Sequence, residues 1–242
     1  MEKVSVVKSP EWQMDFEEYL DHLKLNERHF RERLRLPVVS RLRRVLPLKN
    51  LKDIRSMIPL ANAFLREILI KVRTLDDQLP FAEATFGICY VDPRELKLGQ
   101  RFVYRENYVA LLEELPNLFV NAFAVTSSIT SMGAFSVFGC DAAGEPAISF
   151  YLPPIVEKHR LKTGEELVIM DGMHRNFLTK QFGMTIAAIV AKNVTVHFPC
   201  ACKDWSSVTA IPLADKPADI NERYFGLRKN LFRDLKYLGI DG

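Results

Sequence analysis

Apolar positions near the start of the chain recur at steps of three and four: Trp12, Phe16, Tyr19, Leu20 and Leu23, with Glu17, Glu18 and Asp21 between them. That spacing places them on one face of an amphipathic helix. Ala61, Phe64, Leu65, Ile68, Leu69 and Val72 predict another helix over 61–72, with a wide apolar face. Between the two, Pro37 and Pro47 divide the chain into short pieces. The pattern then shifts toward short apolar runs at 86–91, 119–125, 134–138 and 147–152, which read as strands. Asp141-Ala142-Ala143-Gly144-Glu145 is a hairpin loop between the last two, and 107–115 reads as a helix closed by Pro116.

The last third carries the sharpest pattern. A short apolar strand over 167–170 runs straight into Asp171-Gly172-Met173-His174-Arg175. A helix follows, with Phe177, Leu178 and Phe182 on its apolar side, Gly183 as its stop, and a buried strand over 185–191. The order reads as a βαβ-like unit. Farther on, Ile220, Tyr224, Leu227, Leu231, Leu235 and Leu238 predict an amphipathic helix with Arg223, Arg228, Lys229, Arg233 and Lys236 outward. That helix is expected to pack on the domain, with a role in a homodimer as its alternative. The whole reads as an α/β (α+β) protein, with a helical N-terminal region over 1–80 packed on an α/β domain over 81–242.

Composition narrows the class without fixing the function. Of 242 residues, 48% are hydrophobic and 26% charged, which supports a buried core and excludes wholesale disorder. A net charge of +3 falls short of what an obligate nucleic-acid binder carries. The apolar runs are far shorter than a membrane span or secretory leader needs. Four cysteines are too few for a disulfide scaffold. Cytoplasmic residence with reduced thiols is the expectation. The charge is unevenly spread: Arg28, Arg31, Arg33, Arg35, Arg41, Arg43, Arg44, Lys49, Lys52 and Arg55 face only Glu32 and Asp53. This segment can track a phosphate backbone, or it can be a solvated face balanced by the acids over 11–21.

A glycine that throws the chain from a strand into a helix leaves the first helical amides without acceptors. Those donors and the helix dipole make an anion site. Gly172, Met173, His174, Arg175 and Asn176 would form its floor. Arg175 adds a forked, permanent cation, and His174 donates or titrates near neutral pH. Asp171 can cap the helix, hold a metal ion or orient an attacking group. The same residues also suit a purely structural corner, with Asp171 as N-cap and the two basic residues paired to carboxylates. Spacing alone leaves both readings open.

Residues 167–193 resemble the ParB/sulfiredoxin superfamily, whose members share an apolar strand, a D-G-x-H-R or G-x-H-R turn, a helix ending in glycine and a closing strand. Pro154-Ile155 resembles the Pro-Ile strand that precedes this unit, so the likeness covers 151–193. It implies a ParB/sulfiredoxin-like core with a mixed sheet that binds a nucleotide (ATP, ADP or CTP) with Mg²⁺ and transfers or hydrolyses a phosphoryl group. By that resemblance the turn holds phosphate, Arg175 neutralises developing charge, His174 donates to a phosphate oxygen, and Asp171 holds Mg²⁺ or orients the acceptor. The sulfiredoxin cysteine is replaced by Met173, and a thioether cannot attack a sulfinyl phosphate. The arginine-rich turn and helix-turn-helix of the partitioning proteins are missing from the sequence. The free-serine kinases keep D-G-x-H-R and take their base from an upstream acid, for which Glu157 and Asp141 are the candidates. The competing class is a non-enzymatic, nucleic-acid-associated protein in which the turn is a nucleotide switch and 28–55 contacts the backbone.

Three further groups carry weaker signals. His197, Cys200 and Cys202 form an H-x2-C-x-C cluster, with packed cysteines as the expected reading and zinc as the alternative. Cys89 and Cys140 sit in apolar strand contexts typical of core thiols. Ser127, Ser128, Thr130 and Ser131 around Gly133 can approach a ligand or simply connect strands.

Overall fold

Met14–Asp15 leads directly into a helix, α1 (Phe16–Leu23), whose Phe16, Tyr19, Leu20 and Leu23 are all buried. Lys24 ends it in the left-handed region, with its amide returned to Asp21 and Leu20. A second helix, α2 (Glu27–Leu34), sends Phe30 and Leu34 inward, and α3 (Asn62–Leu69) sends Phe64, Leu65, Ile68 and Leu69. Phe30 is the hub of an aromatic cluster, edge-on to Phe16, Tyr19 and Phe64 at ring separations of 5.3, 5.9 and 5.7 Å. The computed structural model describes residues 13–34, 41–107 and 133–235.

The strands in chain order are β1 (Met14–Asp15), β2 (Arg44–Val45), β3 (Lys52–Pro59), β4 (Arg73–Thr74), β5 (Thr85–Val91), β6 (Lys97–Leu98), β7 (Phe102–Tyr104), β8 (Phe135–Cys140), β9 (Pro146–Tyr151), β10 (Ile155–Leu161), β11 (Gly164–Ile169), β12 (Ile186–Lys192), β13 (Thr209–Ile211) and β14 (Arg233–Asp234). Two five-stranded sheets result, ordered β1-β2-β9-β8-β3 and β5-β12-β10-β11-β6. Both mix parallel and antiparallel pairs. Leu152-Pro153-Pro154 carries the chain from β9 in the first sheet to β10 in the second. One core spans the helices and both sheets, with Ile148 and Phe150 from the first and Ile155, Ile189 and Ala191 from the second. The architecture is mixed α+β. No helix among the described residues is long and apolar enough to cross a membrane.

The sequence expectations differ from this fold in several places. Phe182, read as part of a helix's apolar side, is 61% exposed, and Cys89, read as a core thiol, is exposed on β5. The N-terminal region is not helical throughout: β2 pairs with β9 and β3 with β8, so residues before 80 share a sheet with residues after it. The strand–helix–strand unit is not a simple parallel βαβ. β10 and β11 form an antiparallel hairpin, the helix α4 (Met173–Gln181) returns the chain, and β12 then pairs parallel to β10 on its other side.

The long terminal helix is absent. Ile220–Arg223 makes a single turn (α5), Gly226 adopts φ 54°, and Lys229–Leu231 and β14 follow. The apolar residues spaced for a helix are used by an irregular strap: Tyr224 and Leu227 pack against Phe198 and Cys200, and Leu235 enters the main core. Arg233, expected to face outward, is instead 1% exposed. Its three guanidinium nitrogens donate to both Glu157 carboxylate oxygens and to the carbonyls of Val196, His197 and Leu231.

The 141–145 hairpin loop forms as read, with Asp141 accepting the amides of Ala143 and Glu145. Trp12, Arg35, Pro37, most of 107–115, Pro116, the 119–125 strand, Ser127, Ser128, Thr130, Ser131, Lys236 and Leu238 lie outside the described residues.

Candidate functional site

The amides of Met170 and Asp171 both donate to the Ile155 carbonyl, at 2.8 and 3.1 Å, which pins the end of β11 to the start of β10. Gly172 then turns the chain at φ 82°, ψ 29° and serves as N-cap of α4 without any side-chain cap. A Cβ at this position would lie 2.7 Å from Pro154 Cβ and 3.0 Å from its Cα. Pro154 and Gly172 therefore touch, and the left-handed turn and this close approach both demand glycine. The first amide to find an intrahelical acceptor is that of Asn176, on the Gly172 carbonyl at 3.0 Å. The amides of Met173, His174 and Arg175 precede it and lie at the positive end of the helix dipole.

The side chains of the turn are more committed than the sequence suggests. Arg175 donates to Asp171 Oδ2 at 3.0 Å and to the Leu152 carbonyl, with its guanidinium carbon 5.6 Å from the centre of the Tyr151 ring. Both partners of that ion pair are 14% exposed. His174 Nε2 accepts the Tyr104 amide at 3.0 Å, so the ring's proton sits on Nδ1. Burial pushes the His174 pKa down to about 4, aided by the positive charges of Lys216 and Arg175. The imidazole is neutral at pH 7, and its Nε2 is occupied as an acceptor. Any donation from this ring comes from Nδ1.

Asn176 is fully buried and its amide nitrogen donates to the Gly172 carbonyl at 3.0 Å, aiming the side chain back along the helix toward its start. Among the described residues its Oδ1 has no partner, and neither does the hydroxyl of buried Tyr104. Met173 is buried in the core of the second sheet and contributes only its amide. Beside the turn stands the strap after β13. Lys216 Nζ lies 5.3 Å from the Tyr104 ring centre, and Arg223 braces the strap by donating to the Pro217 and Ala218 carbonyls. The charge of Arg223 reaches Tyr104, and that of Asp171 reaches Tyr224, whose hydroxyl burial pushes up to about 12. Arg175, Lys216 and Arg223 thus bring positive charge to the neighbourhood of the turn, where Asp171 is already paired with Arg175. Lys216 and Tyr104 were not singled out by sequence reasoning, because nothing local marks them. They reach His174 through the fold.

Other candidate residues fall elsewhere. Glu157, a base candidate, is fully buried, bidentate to Arg233, and 2.6 Å from His159 Nε2, so it is a structural anion. Asp141, the other, caps its hairpin in the opposite sheet. Asp171 does not fit a dedicated Mg²⁺ site: its carboxylate is engaged by Arg175, and no group of three metal-ligating side chains forms among the described residues. That also covers His197, Cys200 and Cys202. Cys200 packs with Val168 and Phe198, and burial pushes the two thiols up to about 12 and 11. In the basic segment, Arg28 pairs with Glu32, Arg31 with Glu27, Arg33 with Glu67, Arg41 with Glu17, Arg43 with Glu145 and Arg44 with Asp15. Two of these partners come from the acidic segment at 11–21, as the solvated-face reading expects.

Comparison with protein-family models, with curated proteins and with solved structures finds no match. The functional reading therefore rests on the geometry of the turn.

Proposed function

We propose that this chain is a nucleotide-binding protein that receives phosphate groups at the start of α4, on a core of the ParB/sulfiredoxin type. The observation that carries the reading is Gly172: a left-handed N-cap without a capping side chain, pressed on Pro154, which presents the amides of Met173, His174 and Arg175. Lys216 and Arg223 add positive charge beside it, and the buried Asn176 side chain is aimed toward the same end of the helix. An anion arriving there meets oriented donors and a favourable dipole. His174 contributes its Nδ1–H, and Mg²⁺ arrives with the nucleotide, since the turn offers no vacant carboxylate.

Phosphoryl transfer is the finer part of the proposal. A polyphosphate that draws Arg175 onto its own oxygens releases the Asp171 carboxylate, which is then able to orient a hydroxyl or water acceptor. Positioning and charge stabilisation supply most of what such transfer needs. The paired arginines of 28–55 favour this reading over the nucleic-acid alternative.

Thermal-shift measurements with ATP, ADP, CTP and GTP, each with Mg²⁺, test the proposal. At least one nucleotide is expected to raise the melting temperature, and Arg175→Ala and Lys216→Ala to shrink that rise. Lys216 is exposed, so its variant separates lost binding from lost folding. No shift with any nucleotide refutes the reading.

A further inference from the structure

Strand β5 forms one side of the second sheet. β12 pairs with it over all seven residues, from Thr85↔Lys192 to Val91↔Ile186, without a register break. Among the described residues no strand pairs with its outer edge. An open edge presents a row of N–H and C=O groups to any second strand, and monomers blunt such edges with lysine, proline, bulges or brevity. β5 uses none of these devices: Thr-Phe-Gly-Ile-Cys-Tyr-Val contains no Lys, Arg, Asp, Glu or Pro. Its side chains are open as well, with Tyr90 65% and Ile88 39% exposed. Phe182 and Met184, 61% and 44% exposed, lie on the segment leading into β12.

We propose that this edge is the interface of a homodimer, in which β5 pairs antiparallel with β5 of a second copy about a two-fold axis at Ile88. The strand's own sequence argues for that occupant. Under this symmetry Ile88 meets Ile88, Phe86 meets Tyr90, Gly87 meets Cys89 and Thr85 meets Val91. Aromatic stands against aromatic on one face and small against small on the other, which is the kind of cross-strand matching that stabilises antiparallel pairs. No like charges are brought together, although 26% of the chain is charged. A charged partner strand finds nothing complementary on β5, whereas a second copy matches its neutrality. Pairing two such edges about Ile88 also brings the exposed Ile88 and Tyr90 side chains of the two copies against one another. The β5-containing sheets of the two copies become one continuous sheet.

Light scattering behind size exclusion, and sedimentation at nanomolar to high-micromolar protein, test the proposal independently of any nucleotide. The wild type is expected to sediment as a dimer. Ile88→Lys, which sets two like charges together on the axis, should yield monomers. Tyr90→Glu, at a largely exposed position that spares the core, should shift the midpoint to at least tenfold higher concentration. Leu75→Lys, at an apolar side chain 54% exposed outside β5, is the control and should leave the dimer intact. A wild type that stays monomeric throughout, as when a partner of other chemistry covers the edge, overturns the proposal. So does a dimer that survives both β5 substitutions.

Discussion

Gly172→Ala and Gly183→Ala form a matched pair that isolates what holds the phosphate-binding turn in shape. Both glycines lie in the left-handed region, at φ 82° and 65°. Each alanine therefore carries a backbone cost of about 1–2 kcal/mol. Their surroundings differ. At 183 a Cβ meets nothing within 4 Å, whereas at 172 it meets Pro154 Cβ at 2.7 Å, Cγ at 2.9 Å and Cα at 3.0 Å. Pro154 has little freedom to retreat, since its carbonyl accepts the Ile189 amide at 2.8 Å and the next carbonyl holds Met170 and Asp171. Overpacking of this kind adds about 1–3 kcal/mol. The expected losses are about 1–2 kcal/mol for Gly183→Ala and about 2–5 kcal/mol for Gly172→Ala. In a domain of this size each kcal/mol lowers Tm by about 2–4 °C. Urea denaturation followed by circular dichroism, with thermal melts beside it, measures both. Equal destabilisation by the two variants would refute the claim that contact with Pro154 shapes the turn.

Arg233→Met leaves the buried Glu157 with only His159 as a side-chain partner and should cost about 3–5 kcal/mol, whereas Arg233→Met with Glu157→Gln should recover part of the loss in the same denaturation assay. His174 should titrate near 4 with its proton on Nδ1, which ring ¹⁵N shifts report directly. Because its folded pKa lies below the ordinary value of 6.5, the unfolded chain takes up the proton first. The His174 contribution to stability is full above pH 6.5 and is lost as pH falls toward 4, by at most about 3 kcal/mol. A His174→Gln variant that keeps the same acid slope contradicts this. Cys140 and Cys200 are buried, so a thiol reagent should modify them only on unfolding, whereas Cys89, exposed on β5, should react quickly in the folded monomer of the Ile88→Lys variant.

Local signals were legible and long-range ones were not. The stripe of Phe16, Tyr19, Leu20 and Leu23 marks α1 because one period of residues decides which face is buried. The 141–145 hairpin and the 171–176 turn are equally local, written in a capping aspartate and in glycines that must adopt positive φ. The terminal leucines fit a helical period, yet Gly226 and the burial of Arg233 beside Glu157, 76 residues away, draw the segment out into a strap. Helical spacing could not reveal an outward arginine turned inward by a distant acid. The strands β1 and β2, two residues each, are too short to show a period and exist because β9 lies beside β2. At the turn the residue types were readable, but their commitments were not. Arg175 is held by Asp171 and Leu152, and the His174 acceptor is spent on Tyr104, whose place depends on the tertiary fold.

An amide-resolved NMR titration with a Mg²⁺–nucleoside triphosphate interrogates the turn most directly. The largest shifts are expected at the amides of Met173, His174 and Arg175 and at the Arg175 Nε–H, saturating with one affinity and reproduced more weakly by inorganic pyrophosphate. Resonances in that stretch that stay fixed at saturating nucleotide, or shifts concentrated on the 28–55 segment, would contradict the assignment of the helix start as a phosphate receptor.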